Sequence, residues 1–465
     1  MSAPGRRYAG DAKVTDLLIA AHAAASVSLE QFDAAFAPIV ARFSEIHSNS
    51  GGGSSSSSSP STELTPALLT ALDVTASSIY DKASPEAHAT SCGEYLSALV
   101  MSEMLPDNYS FVDASELVLF DPHTHNLDFE QTMKAMRRRF VRDAKPDEGF
   151  VVPGFYGSEV GNRAATVTFS RGGSDVTASL VAAALAGAPH RGHEKHREHY
   201  ERDDAIEGGD DNLDRGDFVY YHENFTDVDG IYTCDPFITP AAERIPRLSF
   251  PQIEAMSRAG SRVLHPFAIE PLKRVASAVP LHVRSTVQVA GNGGDDGGIN
   301  EHRGGQKNPR HIRGGGGDGT WVMPATAPVN PSAGVEAGGL STAAAPPETC
   351  RPLAVAGLDD RVTVVCNVPF PMGMIDNKGG VAESGERQKE RLLEEMAAAL
   401  DKSGIPLAPR DGDGRGRGSE GSVHTTTAYD ESMSACIRIQ DASQLDDALR
   451  AVFAEVNVRR RGGVL

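Results

Sequence analysis

Residues 165–185 read ATVTFSRGGSDVTASLVAAAL, and the change of pattern at Ser170 decides the fold class. Up to Phe169 the run is apolar and β-branched, as a buried strand is; from Ser174 onward small and apolar residues follow helical spacing. Between them, Arg171-Gly172-Gly173-Ser174-Asp175 turns a strand into a helix. Two glycines let a ligand approach the backbone, a helix start offers free N–H groups and positive potential, and an arginine can grip a carboxylate or phosphate bidentately. The same residues also suit a plain strand-to-helix turn with Ser or Asp as its cap.

Outward from this turn the alternation continues. Helical spacing recurs at 14–25 and 94–104, and short apolar runs bounded by Asp, Pro and Gly at 115–120 and 150–156 read as strands, as does 218–224. This rhythm, up to about residue 286, predicts an α/β domain with a largely parallel sheet. The stretch Thr226 to Pro236, TDVDGIYTCDP, follows the last of these strands. A loop at the carboxyl end of a parallel strand is where open α/β sheets bind nucleotides, although Asx turns in a surface loop give the same composition. From 353 the pattern becomes strand (361–367), helix (386–402), strand (432–439) and helix (445–456), a compact βαβ-type unit.

Composition limits the partners. Sixty-three acidic against 44 basic residues give a net charge of −19 over 465 residues. That charge argues against nucleic acid or an anionic membrane, and leaves room for a small anion in a local basic pocket. Much of the 47 Gly and 28 Pro falls in biased tracts at 49–62, 189–216, 291–318, 325–347 and 410–421, which read as loops or linkers. The five cysteines show no CxxC spacing, so neither a zinc site nor a disulfide framework is indicated and a reducing compartment fits. The apolar run 17–27 carries Thr15 and Asp16 at its mouth and His22 inside, which favours an amphipathic helix over a signal peptide. No apolar run reaches the roughly 18 residues of a membrane span.

Six motifs in order, GEYLSA (93–98), FVVPGFYG (150–157), RGGSDVTASLVAAAL (171–185), ENFTDVDGIYTCDP (223–236), GSRVLHP (260–266) and VPLHVRST (279–286), resemble the aspartate kinases of the amino-acid kinase superfamily. SAPG (2–5) and KVTDLL (13–18) are similar to that family's second-strand and substrate-loop motifs. RVTVVCNVPFP followed by MGMIDNKGGVAE (361–383) resembles the first strand and ligand-binding turn of an ACT domain. The resemblance implies a three-layer α/β/α kinase domain over 1–288, truncated at its N-terminus and with insertions near 48–62 and 189–216. A Gly/Pro/Ala-rich linker follows at 289–350. An α+β, ferredoxin-like ACT regulatory domain is then expected over 351–460, with an insertion near 410–421.

The same resemblance implies ATP-dependent phosphorylation of the L-aspartate side-chain carboxylate, the first step toward lysine, threonine and methionine. Thr15, Glu94, Arg171, Gly172, Gly173 and Ser174 would hold aspartate, with Arg171 on a carboxylate and Glu94 on the α-amino group. Asp175, with Arg171, would organise the transferring phosphate, and Ser2, Thr226, Asp227, Tyr232, Asp235 and Arg262 would line the ATP side. Mg²⁺ would be required, with no dedicated protein metal site. Lysine or threonine is implied as a feedback ligand and a homodimer or higher oligomer as the assembly. The compartment would be the cytoplasm, or a plastid if a transit segment precedes the sequence. No Walker A and no HRD or DFG set occurs, which sets aside the P-loop and protein-kinase routes.

Three departures qualify these expectations. No KFGG[ST] strand precedes Ser2, so an incomplete version of a longer product is expected, with little turnover from residues 1–465 alone; a non-catalytic partner of a full-length kinase is the alternative. Phe237 stands where the family places Arg or Lys, and Arg262 where it places Lys. One ACT unit is present where the family carries two. Among other candidates, His190, His193, His196 and His199 sit in a charged tract that reads as a solvated loop, His123 and His125 form an HxH pair on a variable loop, and Cys234 reads as a small packed thiol.

Overall fold

The computed structural model describes residues 1–8, 10–50, 64–81, 84–170, 172–187, 221–226, 228–261, 264–275, 279–286, 319–323, 352–366, 385–408 and 434–461. They divide into two compact units, Met1–Tyr220 with Phe267–Val279, and Tyr221–Pro266 with Pro280–Leu465.

The first unit opens with α1 (Val14–Ala25), α2 (Leu29–Ser50), α3 (Pro66–Tyr80) and α4 (Glu86–Met104). Val14, Leu18, Ala21 and Ala25 recur at helical spacing on α1, all are buried, and they share one core with Phe36, Ile39 and Phe43 of α2 and Leu96 of α4. α4 starts at Glu86, after Pro85, eight residues ahead of the predicted start, so Glu94 lies in mid-helix. Next come β1 (Tyr109–Phe111), β2 (Leu119–Phe120), α5 (Phe129–Arg137), β3 (Gly149–Val151), β4 (Tyr156–Glu159), β5 (Asn162–Thr168) and α6 (Gly173–Ala186).

Two predicted strands of this unit are shorter than expected, for local reasons. Asp113 caps a 3-10 turn over Ala114–Glu116 by accepting the Ser115 N–H at 2.8 Å, which leaves only Leu119–Phe120 extended. The run 150–156 splits at Pro153-Gly154, where Phe155 takes a left-handed φ of 73°. The pairing is mixed where a largely parallel sheet was expected: β1–β3 and β2–β4 run parallel, while β4 and β5 form an antiparallel hairpin.

The second unit contains β6 (His222–Thr226), β7 (Ile231–Tyr232), β8 (Arg244–Ile245), β9 (Arg247–Ser249) and α7 (Phe250–Arg258). The short α8 (Glu270–Lys273) belongs to the first unit, and the Arg274 guanidinium that follows it lies 4.8 Å from the Phe129 ring centroid. β10 (Leu281–Ser285) pairs parallel with β6, and β11 (Thr320–Met323) sits between β10 and β9. β11 falls inside the stretch read as linker. Its Thr320 hydroxyl accepts the Ile231 N–H at 2.8 Å and donates to the Ile245 carbonyl at 2.7 Å, joining β7 and β8 to the sheet.

The C-terminal module consists of β12 (Pro352–Leu358), β13 (Arg361–Cys366), α9 (Gly385–Lys402), β14 (Ser434–Arg438) and α10 (Leu445–Arg461). Its three strands pair antiparallel in the order β12-β13-β14, so the local βαβ reading gives way to an α+β layer with both helices packed on one sheet. β12 escaped the sequence pattern because Asp359, at φ 56°, turns it directly into β13. No helix among the described residues is long and apolar enough to cross a membrane.

Thr320 carries a testable consequence. Thr320→Val keeps the shape and removes both hydrogen bonds, leaving a buried N–H and a buried C=O unpaired, and is expected to cost about 1–3 kcal/mol in urea unfolding. A stability unchanged from the parent would show that β11 is not part of this sheet.

Candidate active site

In the first unit, the described residues that the resemblance assigns to aspartate lie on α1, on α4 and at the start of α6. At the start of α6, Gly172 adopts a left-handed φ of 61° as the N-cap residue, a conformation that any Cβ would strain. The first helical hydrogen bond runs from the Val176 N–H to the Gly172 carbonyl at 3.0 Å. Residues 173–175 thus present amides that have no acceptor within the helix, with the positive end of its dipole behind them. Ser174 and Asp175 are half-buried in this first turn. Arg171 lies outside the described residues.

A second position is the middle of α4. A Cβ on Gly93 would fall 2.9 Å from the Ala3 Cβ and 3.3 Å from Val14 Cγ1, so this glycine allows the 2–5 segment and α1 to lie directly against the helix. Glu94 next to it is buried, 6 % exposed, and the Ala3 backbone N–H donates to its carboxylate. Its Oε2 has no hydrogen-bond partner. Burial pushes its pKa up to about 7, with the Ala3 bond opposing the rise. Thr15, half-buried, occupies the first turn of α1, and Ser2 is exposed at the opposite end of the same loop.

One segment ties the two positions together. The Gly154 N–H donates to the Met1 carbonyl at 2.8 Å, and a Cβ on Gly154 would stand 2.6 Å from the Ser174 Cα. The PGF turn therefore touches both the chain leading to Glu94 and the start of α6, and the left-handed Phe155 re-aims the backbone there.

In the second unit, β6 and β10 end side by side, the Thr286 N–H donating to the Thr226 carbonyl at 3.0 Å. Asp227 and Arg262 lie outside the described residues. Tyr232 is buried, and its hydroxyl donates to Asp229 at 2.7 Å; burial, then that carboxylate, raise its pKa. An Asp235 oxygen accepts the Phe237 N–H at 2.9 Å. Both side chains thus spend hydrogen bonds on the shape of the 228–238 loop. Phe237 is 55 % exposed. Cys234 is buried and its thiol pKa is raised by burial, as a packed thiol requires.

Sequence reasoning missed three contributors: the Ala3 N–H, Asp229 and Thr320. Asp229 sits in the TDVDGIYTCDP stretch whose Asx-turn composition is visible, whereas the GTWVM run around Thr320 is too short to show a period. Asp121 forms an Asx turn, accepting the His123 and Thr124 N–H groups, and leaves His123 and His125 exposed. Among the described residues no group of three or more His, Cys, Asp and Glu side chains could hold a metal ion. The histidines at 190–199 lie outside them.

Comparison with known proteins follows the same lines. The model of the amino acid kinase family matches residues 222–285. The lysine-sensitive aspartokinase 3 of Escherichia coli is 36 % identical over 141 residues, 30 % of this chain and 23 % of that one. Aspartokinase 3 of Bacillus subtilis is 26 % identical over 296 residues, 62 % of this chain and 54 % of its own length. The chain thus spans about a quarter to a half of these curated relatives. Among solved structures, E. coli aspartokinase III in complex with aspartate and ADP superposes with a TM-score of 0.55 at 17 % identity, covering 97 % of this chain and 92 % of that one. Clostridium acetobutylicum aspartate kinase gives 0.54 at 19 %, covering 98 % and 91 %; both likenesses describe the fold. Motif order, fold and relatives thus agree: over 222–285 the chain is similar to the amino acid kinase family, and the relatives and solved structures it resembles are aspartokinases.

Proposed function

We propose that the protein is an aspartate kinase, transferring the γ-phosphoryl group of ATP to the side-chain carboxylate of L-aspartate to give 4-phospho-L-aspartate. The observation that carries this reading is the buried Glu94 carboxylate with Oε2 unpartnered, in the same unit as the helix start of α6 with its positive dipole end. A buried acceptor without a donor calls for one from a ligand, and an ammonium group supplies both hydrogen and charge. The α6 start calls for an anion. An amino acid with two carboxylates answers both.

In this assignment Glu94 receives the α-amino group. Arg171, Gly172, Gly173 and Ser174 receive carboxylate oxygens, and Thr15 adds a hydroxyl from α1. The attacking group is a carboxylate ionised at neutral pH, so no general base is needed. One carboxylate oxygen forms a bond to the γ-phosphorus while the bond from that phosphorus to the β,γ-bridging oxygen breaks. The work is positioning and charge neutralisation. Mg²⁺, when bound, neutralises phosphate charge; Asp175, a half-buried oxygen donor in the first turn of α6, fits such a cation, which takes one or two carboxylates beside phosphate and water. Ser2, Thr226, Asp227, Tyr232, Asp235 and Arg262 form the nucleotide side, Tyr232 and Asp235 by shaping its loop. The kinase region is 1–288 and the ACT-like region 351–460, the latter taking lysine or threonine as feedback ligand and contributing to a homodimer. The cytoplasm is the compartment.

Glu94 gives a pH test. Between about 4.5 and 7 the folded protein keeps a proton that the unfolded chain has released, so this group lowers stability as pH rises through that window. Glu94→Gln should therefore stabilise the protein at pH 8 relative to pH 5, by at most about 3 kcal/mol at 1.36 kcal/mol per pKa unit. L-aspartate affinity of the parent should rise from pH 6 to pH 8 and become flat in the variant; equal profiles in both would remove Glu94 from the amino-group site. The reaction itself is read by trapping aspartyl phosphate as the hydroxamate from the full gene product with ATP, Mg²⁺ and L-aspartate. Arg171→Ala and Glu94→Ala should each lower turnover by about 10² or more, and normal turnover in both would defeat the assignment.

A further inference from the structure

Arg42 of α2 has no place in the assignment above, yet it is only 3 % exposed. Its Nη1 donates to the Gly5 carbonyl at 2.8 Å, and its Nη2 donates to Asp11 Oδ2 at 2.7 Å and to the Ala12 carbonyl at 3.2 Å. One guanidinium thus bridges both arms of the loop that leaves Ala3 and enters α1 at Val14. The base of that loop is closed by the Val14 N–H donating to the Pro4 carbonyl at 3.2 Å. Asp11 also accepts the Arg7 N–H at 2.9 Å and its Nε–H at 3.1 Å, and Arg7 extends the network to Glu45 on α2. The result is a compact loop of the Ω type, braced from inside by a buried ion pair and from outside by an exposed one.

The two ends of this loop are the parts of the chain that complete the acceptor site. Ala3 supplies the N–H that holds the Glu94 carboxylate, and Thr15 stands in the first turn after the other end. We infer that the Arg42–Asp11 pair is the clamp that positions the aspartate-binding loop, and that Arg42 is a positioning residue for the acceptor site. The inference rests on the aspartate kinase reading for its ligand, whereas the clamp itself rests on the geometry alone. A planar fork is required because three acceptors from residues 5, 11 and 12 converge on it; a lysine ammonium keeps the charge and cannot span them. Removing the fork frees the loop ends without removing any group that touches substrate. The loss should fall on L-aspartate binding and spare the nucleotide.

The test uses Arg42→Lys and the milder Asp11→Asn in the full gene product, with Arg7→Gln, which disturbs only the outer brace, for comparison. Amide hydrogen exchange across 5–13 should quicken about tenfold or more in the first two and about threefold or less in the third, because local opening rates report the brace that is lost. The KM for L-aspartate should rise about tenfold or more while kcat and the KM for ATP stay within about threefold, the pattern of lost binding and not of lost chemistry. Unchanged exchange across 5–13 in both Arg42→Lys and Asp11→Asn overturns the clamp. Quickened exchange with equal losses in kcat and in both KM values overturns the positioning role, since a general loosening moves all of them. A parent protein that neither binds nor phosphorylates L-aspartate overturns the aspartate kinase reading, and the exchange arm then still decides the clamp.

Discussion

A carboxylate in the middle of a packed helix with one oxygen unpartnered is a costly arrangement, and the first unit is built around one. Charged burial of this kind is tolerated where nearby donors are fixed in place. Here the donor is a backbone amide, from Ala3, and it can reach Glu94 because Gly93 removes the side chain that would hold the segment away. Every neighbour of that contact follows from it. α1 must lie against α4, the loop between Ala3 and Val14 must fold back on itself, and Gly154 must approach both Met1 and Ser174.

Much of this was legible in the sequence, and the illegible part has physical causes. α1 was readable because Val14, Leu18, Ala21 and Ala25 are all apolar at helical spacing, and α6 because the glycine pair announces the turn before it. The first two turns of α4 were not, since residues 86–93, EAHATSCG, hold no large apolar side chain to mark a buried helical face. Their helix is held by tertiary packing, with Ala89 and Cys92 buried. A carboxylate and a guanidinium ordinarily signal surface, so neither the burial of Glu94 nor that of Arg42 could be read from residue type. β11 escaped because a four-residue strand between Gly-rich tracts offers no periodicity to count.

The second unit shows the complementary case, in which a recognisable motif does more than its resemblance implies. Tyr232, Cys234 and Ala242, from the loop after β6, share one buried core with Val355 of β12, Leu393 and Met396 of α9 and Leu449 of α10. The Val355 N–H donates to the Thr233 carbonyl at 2.7 Å, and Arg450 of α10 donates to the Ile238 carbonyl at 3.0 Å. Gly260, at the head of the GSRVLHP motif, abuts the Gly357 carbonyl so closely that a Cβ would stand 2.2 Å from it.

Residues of two motifs, 223–236 and 260–266, are therefore fixed to the same strand, β12, one by a hydrogen bond and the other by backbone contact. Packed cores respond to a displaced neighbour by rearranging as a unit, because their interiors are close-packed and leave little free volume. The segment from 231 to 242 and the C-terminal module accordingly share one packed core, so a substitution in either is felt by the other. That accounts for the unusual chemistry of the loop itself. Tyr232 gives its hydroxyl to Asp229 and Asp235 accepts the Phe237 amide, so the polar groups hold a turn whose apolar groups are already committed to a core built from residues more than a hundred positions further along the chain.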